Sequence, residues 1–168
     1  QSGRVEDAIV AYEQALAIEP AYAEVHNNLA VALLASGRTG DAIAHLEAAL
    51  ATQPEYADAV HNLAWALATA PEAALRDGRR AVALAERAYQ HSGGSNLQVL
   101  GTLAAAYAEA GRFEDAARVA QQAIAAANAA GQGAFARAIE EQLALYRSGR
   151  AFQQAPAGPV KRAPAPLR

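Results

Sequence analysis

Cysteine and methionine are absent from this 168-residue chain, tryptophan occurs once, and aromatic residues amount to 6%. Without cysteine there is no disulfide, no thiolate zinc site and no thiol nucleophile. Polar residues interrupt every helical stretch, so no apolar run reaches the roughly 18 residues that a membrane helix needs. Membrane insertion is therefore not expected of this segment; a soluble segment is, in a compartment the sequence leaves open, with the cytoplasm as the default. Strong charge of either sign is also missing, the net charge being −3 with 18% charged residues. Apolar residues, by contrast, make up 53% of the chain, and alanine dominates them. Alanine is the strongest helix former and buries little area, so its helices can approach closely without large side chains between them. Such a composition suits a thin stack of helices and suits an enclosed enzyme pocket poorly.

The arrangement of these residues is periodic. Gly37 follows Gly3 by 34 residues, and the same interval separates Ala42 from Ala8, Pro54 from Pro20, Tyr56 from Tyr22, Asn62 from Asn28 and Leu63 from Leu29. GRVEDA at 3–8 returns as GRFEDA at 111–116. Within each interval apolar residues recur at helical spacing: Ala8, Ile9, Tyr12, Ala15 and Leu16 form one stripe, and Leu29, Ala32 and Leu33 another. Glycine punctuates the middle of a unit and proline its end. A fixed 34-residue period with small residues and proline at fixed offsets resembles the tetratricopeptide repeat. The resemblance implies an all-α fold, a right-handed α-solenoid of antiparallel helix pairs.

Cut at that period, residues 1–150 form the array: a half repeat at 3–22, repeats at 23–56, 57–95 and 97–130, and a capping helix at 134–148. The third repeat is irregular, because Ala81, the match for Ala42, lies 39 residues on instead of 34. About five extra residues between Pro71 and Arg80 leave room for one helical turn, with Asp77 as N-cap of the next helix. Residues 151–168, rich in Pro, Ala and Gly and carrying Lys161, Arg162 and Arg168, read as a disordered tail of polyproline character. Gln1 falls at the turn inside a repeat, so upstream repeats of the same chain are expected to cover the open face of the first helix. The insertion at RDG, the run TLAAAYAEAGRFEDA and the ending LYRSGR together resemble the C-terminal arrays of large bacterial tetratricopeptide proteins, several with glycosyltransferase or membrane modules upstream.

In the family the first helix of each pair lines a concave groove, and the resemblance places Asn28 and Asn62 there, both at the sixth position of a first helix. An asparagine side chain both donates and accepts, so two in register could hold the backbone of an extended peptide whatever its sequence. The pair resembles a short version of the asparagine ladder of the O-GlcNAc transferase superhelix, broken in the fourth repeat by Thr102. The same groove is expected to present Glu24, Asn27 and Val31 from the second repeat, and Asp58, His61 and Trp65 from the third. Trp65 is a candidate anchor, able to bury about 200 Å². The alternatives for the asparagines are that they merely face water or cap a local interaction between adjacent helices, and for Trp65 that it packs between neighbouring helices.

No Lys or Arg occurs in Ala23–Ala35, Ala57–Ala70 or Leu97–Ala110. A clamp for an acidic C-terminus needs cations on those helices, and nucleic acid needs a basic stripe. Neither partner is expected. Glu24, Asp58 and Glu109 make the groove mildly acidic, which favours a neutral or basic protein or peptide. Asp58 and His61 are three apart, but no metal-ligand set surrounds them, and no nucleophile, base and orienting group assemble. No metal, cofactor or enzymatic activity is expected. The sequence points to a non-catalytic interaction module that binds an extended or helical peptide. The alternatives are an accessory array presenting substrates to a larger, glycosyltransferase-like enzyme, and a structural or oligomerising scaffold.

Overall fold

A computed structural model of the chain describes residues 2–156. Among them regular structure is entirely helical: α1 (Ser2–Ile18), α2 (Ala23–Ala35), α3 (Thr39–Thr52), α4 (Ala57–Thr69), α5 (Gly78–His91), α6 (Leu97–Glu109), α7 (Phe113–Ala129) and α8 (Gly133–Arg147), with one 3₁₀ turn, Ala73–Leu75, ahead of α5. Each helix packs on the next in sequence. Beyond these neighbours, α4 lies closely on α6 and α2 more loosely on α4, whereas α3, α5 and α7 make no comparable contact with one another. Helices that meet on one side and splay on the other impose curvature, so α2, α4 and α6 form the inner side of the solenoid.

Small side chains permit these approaches. Ala30, Ala42, Ala49, Ala59, Ala64, Ala66, Ala81, Ala85, Ala104, Ala116, Ala120 and Ala123 are all fully buried, with Leu29, Leu33, Leu46, Leu63 and Leu100 supplying the volume between them. The helix ends follow from backbone chemistry. At Gly37 and Gly111 the chain takes φ of 79° and 76°, which glycine alone adopts without strain. The next amide then folds back, Arg38 N–H onto Leu33 C=O at 2.9 Å and Arg112 N–H onto Tyr107 C=O at 2.8 Å, satisfying carbonyls that the helix leaves open. At the start of the chain, α1 turns Val10 and Ile18 outward, 51% and 87% exposed.

The insertion of the third repeat is tied down along its length. It holds the single helical turn, and the Asp77 carboxylate caps α5 by accepting from Arg80 N–H at 3.0 Å. Asp77 N–H donates to Leu67 C=O at 3.0 Å, and Arg76 donates to Ala70 C=O and to the Glu109 carboxylate, both at 2.9 Å. Arg76 and Glu109 are largely buried, so Glu109 is neutralised and does not contribute to an acidic groove as the charge count suggested. Gly78 sits so close to the end of α6 that a Cβ would lie 2.6 Å from Ala110 N.

The end of the chain departs from its sequence reading. Gly149, at φ 71°, reverses the chain after α8, and residues 151–156 run without regular secondary structure back to the end of α4. They are docked rather than disordered, because Gln154 finds hydrogen-bond partners on α4 and Phe152 an aromatic surface, neither detectable from composition. Residues 157–168, which include Lys161, Arg162 and Arg168, lie outside the described residues.

Gly78→Ala should destabilise the fold by about 1–3 kcal/mol or more, since only backbone faces the new methyl group. Gly40→Ala, whose Cβ would meet only Leu75 at 3.8 Å, should instead stabilise by about 0.4–1 kcal/mol. Urea unfolding of the two variants checks the contrast.

Candidate functional site

The residues singled out from the repeat pattern do fall on the inner helices, but they divide among three places. On α2 and α4 the asparagines form a clasp. Asn62 Nδ2 donates to Asn27 Oδ1 at 2.9 Å, and Asn27 Nδ2 reaches Asn28 Oδ1 at 3.4 Å. Asn27 is 4% exposed, while Asn28 and Asn62 are half-buried. One amide of the proposed pair is therefore spent on holding two inner helices together, and Asn28 keeps its amide hydrogens. Glu24 and Val31 are exposed on the same helix, Val31 at 47%. The Tyr56 phenol is pushed up by burial and then by the Asp58 and Glu24 carboxylates, so negative potential accumulates at this end of the inner side.

A second place is a cleft of about 330 Å³ between the start of α4, the end of α5 and the start of α6. Asp58 and His61 line it, together with His91, Ser92, Asn96 and Gln98. His61 Nδ1 is buried without a hydrogen-bond partner, and burial holds the imidazole below its ordinary value, opposed only by Asp58. Among the described residues no group of three or more His, Asp or Glu could hold a metal ion.

Trp65 occupies the third. Its indole packs against Phe152, ring centroids 6.1 Å apart and planes inclined at 33°. One turn on, the Thr69 hydroxyl donates to Trp65 C=O at 2.8 Å and accepts from Gln154 Nε2 at 2.8 Å. Gln154 N–H donates to Thr69 C=O, also at 2.8 Å. The C-terminal carbonyl of a helix has no partner within the helix, so the incoming chain supplies one. Thr69 is completely buried. Sequence reasoning singled out Trp65 but missed its partners Phe152 and Gln154, because Gln154 lies 85 residues beyond Thr69 and shares no period with it.

Outside these three places, His26 and His45 meet between α2 and α3, their Nδ1 atoms 2.9 Å apart. His26 Nε2 is 3.0 Å from Pro20 C=O and must donate there, so the neutral pair is built by His45 Nδ1–H donating to His26 Nδ1. Burial and the neighbouring His26 both lower the His45 pKa. With one proton too many the contact becomes two donors face to face.

Comparison with known proteins agrees with this architecture. Residues 1–63 match the sequence model described as tetratricopeptide repeat. No curated protein matches the chain. Among solved structures, two described as crystal structures of MamA superpose with TM-scores of 0.63 and 0.62 at 18% and 19% identity, covering 87% and 88% of this chain and 90% and 81% of theirs. A third, described as MamA MSR-1 C2, gives 0.61 at 19% identity over 87% of this chain and 88% of that one. At this level of identity the likeness is one of fold.

Asn62→Ala should cost about 1–3 kcal/mol by stranding the buried Asn27, whereas Asn28→Ala should stay within about 0.5 kcal/mol; chemical denaturation distinguishes them. Stability should also fall with acid. His45 and His61 bind protons less readily folded than unfolded, so the unfolded chain gains more protons as pH drops below their ordinary 6.5. Their contribution is present above 6.5 and lost as pH falls through the lowered folded values. Urea midpoints between pH 7.5 and 5 should decline more steeply for the parent than for His45→Gln or His61→Gln; equal slopes would contradict the assignment.

Proposed function

We propose that the chain, whose residues 1–63 match the tetratricopeptide repeat model and whose helices stack as in the similar solved structures, is a protein-interaction module that acts without catalysis, holding an extended, neutral to basic peptide along the inner side of α2 and α4. The observation that carries the reading is the behaviour of the chain's own end: an unstructured stretch lies against Trp65 and Thr69, joined by a backbone hydrogen bond and an aromatic contact. Backbone bonds supply affinity that does not depend on sequence, and side-chain pockets supply selectivity. Toward the start of the same inner helices, Asn28 offers amide hydrogens, Val31 an exposed apolar contact, and Glu24 and Asp58 two carboxylates with no hydrogen-bonded cation among the described residues. Glu109, which would have extended the acidic surface, is taken by Arg76. The negative charge is thus concentrated near the start of the inner helices, and a ligand's basic residues would face that end.

Selection of displayed peptides on the full chain, followed by fluorescence anisotropy of the winners, tests the reading. Selected peptides should be neutral or basic, and Asn28→Ala combined with Val31→Asp should weaken them by about tenfold or more, as loss of a hot spot does. Glu24→Lys with Asp58→Lys should shift the selection toward acidic peptides. Affinities indifferent to both pairs of changes would overturn it.

A further inference from the structure

The stretch after α8 is more than a strap, because its pattern is that of a bound peptide. Phe152 and Gln154 are half-buried, while Gln153 between them and Ala155 after them are exposed, the alternation of an extended chain read on one face. Phe152 meets Trp65, and Gln154 meets Thr69 through both its backbone and its side chain. We propose that Trp65 and Thr69 form a subsite for an extended segment carrying an aromatic residue and, two positions later, a glutamine, and that Phe152 and Gln154 are its resident, displaceable occupant. The inference rests on reading the inner helices as a peptide site, and it names what that site recognises.

The chemistry of Thr69 sets the selectivity. Its hydroxyl hydrogen is committed to Trp65 C=O, so its oxygen faces the ligand only as an acceptor. The neighbouring Thr69 C=O is another acceptor, at the end of a helix where partial negative charge collects. A carboxamide nitrogen is suited to that position, whereas the carboxylate of the nearly isosteric glutamate has no hydrogen to donate to the Thr69 oxygen. Trp65 contributes an aromatic surface that prefers a ring to an aliphatic chain. The tether of the occupant is short, since the helix ends at Arg147 and the contacts begin at Phe152. Its effective concentration is therefore on the order of millimolar, and a free peptide must compete with it.

Because Trp65 is the sole tryptophan, the subsite reports on itself. The experiment uses the full chain, its Phe152→Ala/Gln154→Ala variant, and a labelled synthetic peptide spanning residues 149–156, which contains no tryptophan. Emission from Trp65 should shift to the red in the variant and return to the blue when the peptide is added. The peptide should bind the variant about tenfold or more tightly than it binds the parent chain. Changing its Gln154 to Glu should reduce binding about tenfold, and Thr69→Val in the variant should do the same. The single change Gln154→Glu in the full chain, which leaves Phe152 in place, should also free the subsite and gives a second route should the double variant unfold. Equal affinity of the peptide for parent and variant, an unmoved Trp65 spectrum, or indifference to glutamate would overturn the inference, as would a variant that melts early and binds no peptide, which leaves a purely structural strap. If the peptide fails while charge reversal at Glu24 and Asp58 still redirects peptide selection, only this subsite is lost and the broader reading stands.

Discussion

The closeness that alanine allows between neighbouring helices governs this molecule. Residues without side-chain bulk are buried to zero exposure along the stack, from Ala30 and Ala42 near one end to Ala120 and Ala123 near the other. Close crossings leave little interior volume, so leucines in single file fill the core. On the inner side the helices converge, bringing residues of α2, α4 and α6 close to one another.

Two of those inner surfaces have been partly closed from within. Around α6 the burial is nearly complete: from Leu97 to Ala108 only Gln98 is exposed, and Gly101 admits Phe135 and Ile139 of α8 against the helix. Around α4, Trp65 and Thr69 carry the returning chain. What remains open is the flank of α2 with the start of α4, where Glu24, Asn28, Val31 and Asp58 lie. The electrostatics follow the same division. Arg76 silences Glu109 at one end of the inner helices, and the carboxylates at the other end keep their field, felt by the Tyr56 phenol.

The parts of this structure that could be read from the sequence are those governed by a local rule. Helix limits followed from glycine, proline and apolar spacing, and the N-cap at Asp77 and the short turn before it followed from the register of a single alanine, Ala81. The placement of the candidate residues on inner helices followed from the period. Their side-chain partners did not. Which asparagine bonds which depends on the offset between two packed helices, and it pairs Asn62 with Asn27, not with its periodic equivalent Asn28. The ion pair between Arg76 and Glu109 joins an insertion to a later repeat, and the docking of Gln154 on Thr69 joins opposite ends of a long stretch. No pattern in composition encodes such contacts, because each is decided by where the stacked helices bring the chain.

A stack in which each repeat touches only its neighbours melts as a row of weakly linked segments, with fraying permitted at either end. The hydrogen bonds of Gln154 break that rule, since they reach past the last two units to the third repeat. Everything from α4 to α8 is thereby enclosed in a loop whose ends are pinned together. While that pin holds, the end of the stack is tied to α4, so its fraying requires the Gln154 bonds to break first.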